Sequence, residues 1–182
     1  MQKNSRSLLR SCSGLVLALT VVTGVSAQDA PRDFDFEFGS WKTQVRRLAK
    51  PLSGSQTWVT YSGTTVVRPL LGGHANVAEL DIRGESGRIA GVSLRLYEPA
   101  TGQWSLNYAS LRDGALTAPV VGRFRDGRGE FHGIDSLDGR PIRVRFVISD
   151  VTSDGARFEQ AYSADDGKTW EVNWIATDTR IR

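Results

Sequence analysis

The sequence predicts an all-β protein, a single up-and-down antiparallel β-barrel of about ten strands. Three observations carry this reading. Apolar and polar residues alternate over short segments along residues 39–180, and no segment holds a helical apolar period across two turns. Asp-Gly pairs punctuate the C-terminal half at Asp113-Gly114, Asp126-Gly127, Asp138-Gly139, Asp154-Gly155 and Asp166-Gly167, a composition suited to tight antiparallel turns. The connections are also short and sequential. An antiparallel run this long either curls closed or splits into a sandwich, and sandwiches need longer crossovers.

The first 27 residues stand apart. Lys3, Arg6 and Arg10 precede an apolar run from Leu15 to Val22, and Val25-Ser26-Ala27 supplies small residues at a cleavage position before Gln28. This is the pattern of a secretory signal peptide, too short for a spanning helix with a stop-transfer end. Cys12 precedes the apolar run, the wrong side for a lipid-attachment cysteine. The expected domains are therefore a signal peptide over residues 1–27 and one barrel over residues 28–182. The expected location is a bacterial periplasm or the extracellular medium, with no membrane insertion once the signal is removed.

Of the 23 Lys and Arg, three lie in residues 1–27, which contain no Asp or Glu; residues 28–182 thus carry 20 basic against 20 acidic side chains. The overall positive charge belongs to the leader, and nothing points to a nucleic-acid partner. Residues 28–182 contain no cysteine, so no disulfide holds the fold despite export. Packing must do so, and five Trp and seven Phe supply the apolar bulk.

In chain order, Pro31–Phe38 alternates Phe34, Phe36 and Phe38 with Asp33, Asp35 and Glu37, and reads as a strap or short helix plugging one end of the core. Strands follow from Gly39 to Leu48, opened by Gly39-Ser40-Trp41, from about Gln56 to Arg68, from Asn76 to Arg83 and from Arg88 to Tyr97. Pro51 and Gly54 mark the first loop, and Pro69 to His74 the second. Glu98-Pro99-Ala100-Thr101-Gly102 turns the chain into a strand carrying Trp104, Leu106 and Tyr108. The rest are expected at Val120–Arg125, Gly129–Asp135, Arg140–Ser149, Ala156–Ser163 and Thr169–Arg180.

Gly39-Ser40-Trp41 on the first strand and Arg180 on the last resemble the Gly-x-Trp signature and C-terminal arginine of the calycin superfamily. The resemblance implies a calycin-like barrel in which Arg180 packs over Trp41 at the closed end. Tyr97-Glu98-Pro99-Ala100-Thr101-Gly102-Gln103-Trp104, Gly139 through Phe146, and Glu159-Gln160-Ala161-Tyr162 through Trp174 resemble a widespread bacterial family of exported proteins. That likeness implies the fold and export without a mechanism. Ser163-Ala164-Asp165-Asp166-Gly167-Lys168-Thr169-Trp170 is similar to the Asp-box of sialidases, a hairpin turn remote from their catalytic site. A single copy in a chain this short implies turn chemistry, not a glycosidase.

Activated chemistry is sparse. There is no Gly-x-Ser-x-Gly elbow. Glu130 and His132 share a strand face, but two ligands are too few for the usual zinc or haem site. Haem-binding nitrobindin-like calycins have a glycine-rich strand after the Trp, whereas Lys42-Thr43-Gln44-Val45-Arg46 stands here. No metal or cofactor is expected. Glu130, Glu159 and Glu171 are expected outside, paired with Arg123, Arg143, Arg145 and Arg157.

The apolar parity of each strand should face the lumen: Val92, Leu94 and Leu96; Trp104, Leu106 and Tyr108; Ile142, Val144, Phe146 and Ile148; and Trp170, Val172, Trp174 and Ala176. Trp104, Tyr108, Gln160, Tyr162 and Trp174 are then the candidate ligand-binding residues, amphipathic rings and one carboxamide on an apolar wall. Three functions fit: binding of a small apolar or aromatic ligand, an enzyme acting on such a ligand through a pocket carboxylate or Tyr108, or a filled barrel whose surface meets another envelope protein. Fold does not choose among them.

Overall fold

The computed structural model describes residues 31–182; the expected leader and its cleavage position lie outside these residues. Ten strands form one closed antiparallel barrel. They are β1 (Gly39–Leu48), β2 (Trp58–Leu70), β3 (Ala75–Gly84), β4 (Gly87–Glu98), β5 (Gln103–Ser110), β6 (Val120–Arg125), β7 (Arg128–Leu137), β8 (Arg140–Ser149), β9 (Gly155–Ser163) and β10 (Glu171–Arg180). Each strand pairs with its neighbours in sequence, and β1 closes the wall against β10. The predicted up-and-down barrel is the observed one. Asp126-Gly127 and Asp138-Gly139 both have positive φ, as the two-residue turns linking β6 to β7 and β7 to β8 require.

Cross-strand partners share a face of the sheet, so the register carries one inside-outside assignment around the wall. One inward row runs Tyr97, Trp104, Gly122, Phe131, Phe146, Gln160, Trp174, Arg47 and Val59, each paired with the next. Gly122 suits its place in the row because a Cβ there would lie 1.9 Å from the Glu130 carbonyl oxygen. Only glycine allows the two strands so close.

This row overturns part of the expected lining. Tyr97 pairs with Trp104, so Tyr97, Arg95 and Ser93 point inward, and Val92, Leu94 and Leu96 lie on the outer wall. The buried Trp104 sets that parity. The second correction concerns β10. Its register with β9 shifts between Val172 and Trp174, leaving Asn173 as an extra residue. Beyond this bulge the faces exchange. Trp174 and Ala176 face in, as expected, whereas Val172 pairs with the outward Ala161 and Trp170 lies on the outer wall. There the Arg145 guanidinium sits 4.7 Å from the Trp170 ring, and His132 packs on its edge at 5.9 Å.

The strap before β1 closes the end of the barrel where β1 starts and β10 finishes. A 3-10 turn over Asp35–Glu37 sends Phe34 into the core. The Phe34 ring meets Trp104 at 4.9 Å and Phe124 at 5.1 Å, both edge to face. The expected meeting of Trp41 and Arg180 is present, with the guanidinium 4.1 Å from the indole. Arg180 also donates to the carbonyls of Phe36, Phe38 (2.8 Å) and Ser153 (2.7 Å), and Trp41 Nε1 donates to Glu37 O at 2.6 Å. Gly39, with φ of 120°, approaches Arg180 closely: a Cβ there would lie 3.1 Å from Nη1. Together the three signature residues clamp the strap.

The Asp-box motif is the predicted turn. Ser163 Oγ accepts from the Gly167 N–H at 2.8 Å, and Asp165 accepts from the Thr169 N–H and hydroxyl at 2.9 and 2.6 Å. The Thr169 bonds, with help from Ser163, hold the Asp165 carboxyl well below the usual carboxylate range. Ser163, Asp165 and Thr169 thus serve the hairpin itself, while Asp166 accepts from Arg143 on β8 at 3.0 Å.

Candidate functional site

The strap closes one end of the lumen, and the half-buried candidate residues other than Trp104 lie toward the other end. The end beneath the strap is filled. Trp104, 1% exposed, donates from Nε1 to Asp33 Oδ2 at 2.9 Å and packs on Phe34, with Phe131 behind. Trp104 therefore belongs to the floor, away from the other residues expected to hold a ligand.

Above the floor lies a buried polar layer that apolar patterning alone does not reveal. Arg95 on β4 donates to both carboxylate oxygens of Glu37 in the strap, with Nη2 to Oε1 at 3.1 Å, and its guanidinium lies 4.5 Å from the Phe34 ring. The inward Arg95 thus has a partner 58 residues away that fixes it under the plug. Asn76, its cross-strand neighbour, accepts a longer bond from Nη1 at 3.3 Å. Thr65, Thr43 and Asp178 form a short chain: the Thr43 hydroxyl donates to Asp178 Oδ1 and accepts from Thr65 at 2.6 Å.

Burial pushes the Asp178 carboxyl up to about 6; Thr43 opposes this, Glu37 adds to it and Arg95 opposes it. The sign of the consequence follows. An aspartate raised in the folded state from an ordinary 3.8 contributes stability that is complete below 3.8 and is lost as pH rises through about 6. The gap corresponds to about 3 kcal/mol. Asp178→Asn should therefore remove most of the decline in urea-melt stability between about pH 4 and pH 7 and raise stability at neutral pH. An unchanged pH profile would contradict this assignment.

The remaining candidates lie toward the other end. Gln160 on β9 pairs with Trp174 on β10, and its amide donates to Asn173 Oδ1 at 2.8 Å. Asn173 is the bulge residue, so the register shift that turns Trp170 outward also supplies this amide partner. Tyr162 lies two residues from Gln160 on the same face. Its hydroxyl is raised by burial and by Asp135, while Arg47 and Gln160 oppose the rise. Tyr108 faces inward from the opposite wall. Its ring lies over Gly91, where a Cβ would stand 2.5 Å from the hydroxyl, and its pKa is raised by burial and then by Asp113. Gln160, Tyr162 and Trp174 are therefore neighbours, Tyr108 faces them from β5, and all four are half-buried.

Three residues near these, Phe158, Arg47 and Leu52, were not expected from the sequence, whereas Phe146 was. Phe146 and Phe158 meet edge to face at 5.1 Å beneath Gln160. Arg47, partner of Trp174, stands exposed at the rim. Leu52, in the loop between β1 and β2, folds back to pack on the core with φ of 57°, and its N–H donates to Glu171 Oε1 at 2.6 Å. Glu171 pairs with the inward Tyr162 across the strands, which corrects its expected place on the outer wall. Glu130 and Glu159 do lie outside, bonded to His132 at 2.9 Å and to Arg157 at 2.5 Å. Among the described residues no cluster of three or more His, Cys, Asp or Glu has metal-binding geometry.

Two hollows open on the outer surface. One of about 540 Å³ lies between the strap and Pro69–Gly73, and another of about 660 Å³ lies over Gln44, Arg46, Ser62, Arg83 and Arg157. Neither borders Tyr108, Gln160, Tyr162 or Trp174.

No protein-family model matches the chain, and no curated protein matches it. Among solved structures it is similar to the S-type phycobiliprotein lyase CPES from Guillardia theta, with a TM-score of 0.54 and 14% identity over 82% of this chain and 90% of that one. It is also similar to a redesigned β-barrel, mFAP0, bound to DFHBI, with a TM-score of 0.46 and 12% identity over 80% of this chain and 99% of that one. At these identities the likeness to the lyase is one of fold: a closed antiparallel barrel.

Proposed function

We propose that this is an exported calycin-like barrel whose open half binds a small, largely apolar or aromatic molecule. The observation that supports it best is the division of the lumen. One half is packed with Phe34, Trp104 and Phe131. The other presents half-buried Trp174, Tyr162 and Tyr108 around one carboxamide, Gln160. Such rings cover an apolar ligand body, and a lone amide fixes one polar atom. Leu52 is the natural stopper. Its positive φ is costly for a non-glycine residue, and a ligand that displaces it relieves that cost. In this reading residues 1–27 are removed on export, and intact-mass measurement of the mature protein should give a chain beginning at Gln28.

The test uses anilinonaphthalene sulfonate as an aromatic probe. Its fluorescence should rise saturably on the folded protein. Trp174→Ala should weaken binding at least about tenfold, and Gln160→Leu should weaken any probe hydrogen-bonded there by about 1–3 kcal/mol. Circular dichroism should show both variants folded. Probe binding that is absent, or unchanged in both variants, would end the proposal.

A second reading, an enzyme working through a pocket carboxylate, has Asp178 as its support. It is buried, faces inward and is held near neutrality at a pKa of about 6. Asp178 is also tied to Thr43 beside the strap, which gives it a structural role without any reaction. Turnover of a bound aromatic ester or ether that disappears in Asp178→Asn, with probe binding intact, would favour this reading.

A further inference from the structure

The outer wall of β4 reverses the polarity expected of a barrel strand in water. Ser93 and Arg95 point in, and Val92, Leu94 and Leu96 point out. Val92 and Leu96 are each 38% exposed. Cross-strand register extends the patch: Leu94 pairs with Val77 on β3, Leu96 leads through Ser105 to Val121 on β6, and Val92 leads through Glu79 to Val66 on β2. Leu116, 56% exposed, bridges to Ala109 on the same side. Apolar side chains scattered singly over a surface need no explanation, but a contiguous set on neighbouring strands does.

We propose that this face is a self-association surface on which a second copy of the chain docks, wall to wall, about a two-fold axis near Leu94. Three features select a second copy over an unlike partner. The centre holds no charge, since β4 offers Ala90, Val92, Leu94 and Leu96 and β5 offers Ser105, Asn107 and Ala109. Interface cores are depleted of charge in the same way. The flank carries two exposed ion pairs of mixed sign, Arg68 with Glu79 at 3.6 Å and Arg88 with Asp81 at 2.8 Å. With both signs present on the rim, a two-fold contact can set cations of one copy against anions of the other, the self-complementarity an isologous contact demands. Residues 28–182 carry equal numbers of basic and acidic side chains, so no net charge drives two such chains apart. The patch is roughly 25 Å on a side at ordinary strand spacing and rise. That gives on the order of 600 Å², somewhat below the ~800 Å² per partner of a standard interface. A weak dimer follows, with micromolar dissociation.

The test is analytical ultracentrifugation of the protein as purified after expression of the full chain, from about 1 to 100 µM, spanning the range expected for an interface of this size. The mass should approach that of a dimer at the upper end and fall toward the monomer at the lower. Val92→Lys and Leu96→Lys, singly and together, should hold it monomeric throughout, with unchanged circular dichroism and unchanged binding of anilinonaphthalene sulfonate. Glu79→Lys should weaken association without abolishing it. A wild-type protein that stays monomeric at about 100 µM overturns the proposal, whatever the variants do. So does a dimer that survives both lysine substitutions. The wild-type result stands even if a lysine variant fails to fold.

Discussion

Glu37→Gln should cost about 3–5 kcal/mol of folding stability, because it leaves the Arg95 guanidinium buried without a countercharge. The pair is well sealed: the two side chains are 9% and 12% exposed, so water screens little of the loss. Arg95 has few alternatives. Asn76 takes one weak bond, and Asp178 is a further carboxyl coupled to the pair. Asp178 ionises more readily once Glu37 no longer carries charge, and its carboxylate then offsets part of the Arg95 charge. The penalty should therefore be larger at about pH 4, where Asp178 is protonated in wild type, than at neutral pH. The double replacement Glu37→Leu with Arg95→Met should recover most of the loss, since apolar side chains of similar size remove the buried charge altogether. Urea melts of the three proteins at two pH values measure all of this. A Glu37→Gln loss below about 1 kcal/mol would mean that the strap is not held by this ion pair.

Phe34→Ala should cost a similar amount, about 3–5 kcal/mol, through the cavity left among Trp104, Phe124 and Phe131. Phe34 is 1% exposed, and the rings around it are set by β5, β6 and β7, which relax little to fill a hole. If the strap lifts away instead of leaving a cavity, the measured cost is limited to what the strap contributes and Trp104 loses its cover. Acrylamide quenching separates the outcomes: Trp104 stays protected over a cavity and becomes accessible under a lifted strap. A loss below about 1 kcal/mol with unchanged quenching would show that Phe34 is not the plug.

The strands were legible because alternation and turn chemistry are local. Asp126-Gly127 and Asp138-Gly139 placed two hairpins within two residues of their observed bounds, and Arg140–Ser149 was read as it stands. The Trp41–Arg180 contact was legible through resemblance to a known signature. The face of β4 was not legible from apolar parity, because Arg95 is stabilised inside by a carboxylate in the strap, a contact no local pattern records. Its turn held a usable signal. Pairing Tyr97 with Trp104 across Glu98–Gly102 would have turned Leu96 outward. The β10 error has a different origin: a single-residue bulge at Asn173 exchanges the faces beyond it, and no periodicity survives such an insertion. Of the five predicted ligand residues, Tyr108, Gln160, Tyr162 and Trp174 lie toward the end of the lumen away from the strap. Trp104 shares their parity but stands at the plugged end, and parity fixes a side without fixing a depth.

The division of the lumen into a filled and a receptive half is tested most directly by the tryptophan side chains themselves. The five indole N–H groups report from distinct places. Trp41 and Trp104 are bonded under the strap, Trp58 lies on the outer wall beneath Arg46, Trp170 lies on the outer wall beneath Arg145, and Trp174 lies in the mouth. Nitrogen-15 correlation spectra during titration with anilinonaphthalene sulfonate should move the Trp174 indole signal saturably while those of Trp41 and Trp104 stay fixed. Movement of Trp58 or Trp170 with Trp174 unchanged would place the ligand on the outer wall and contradict the account.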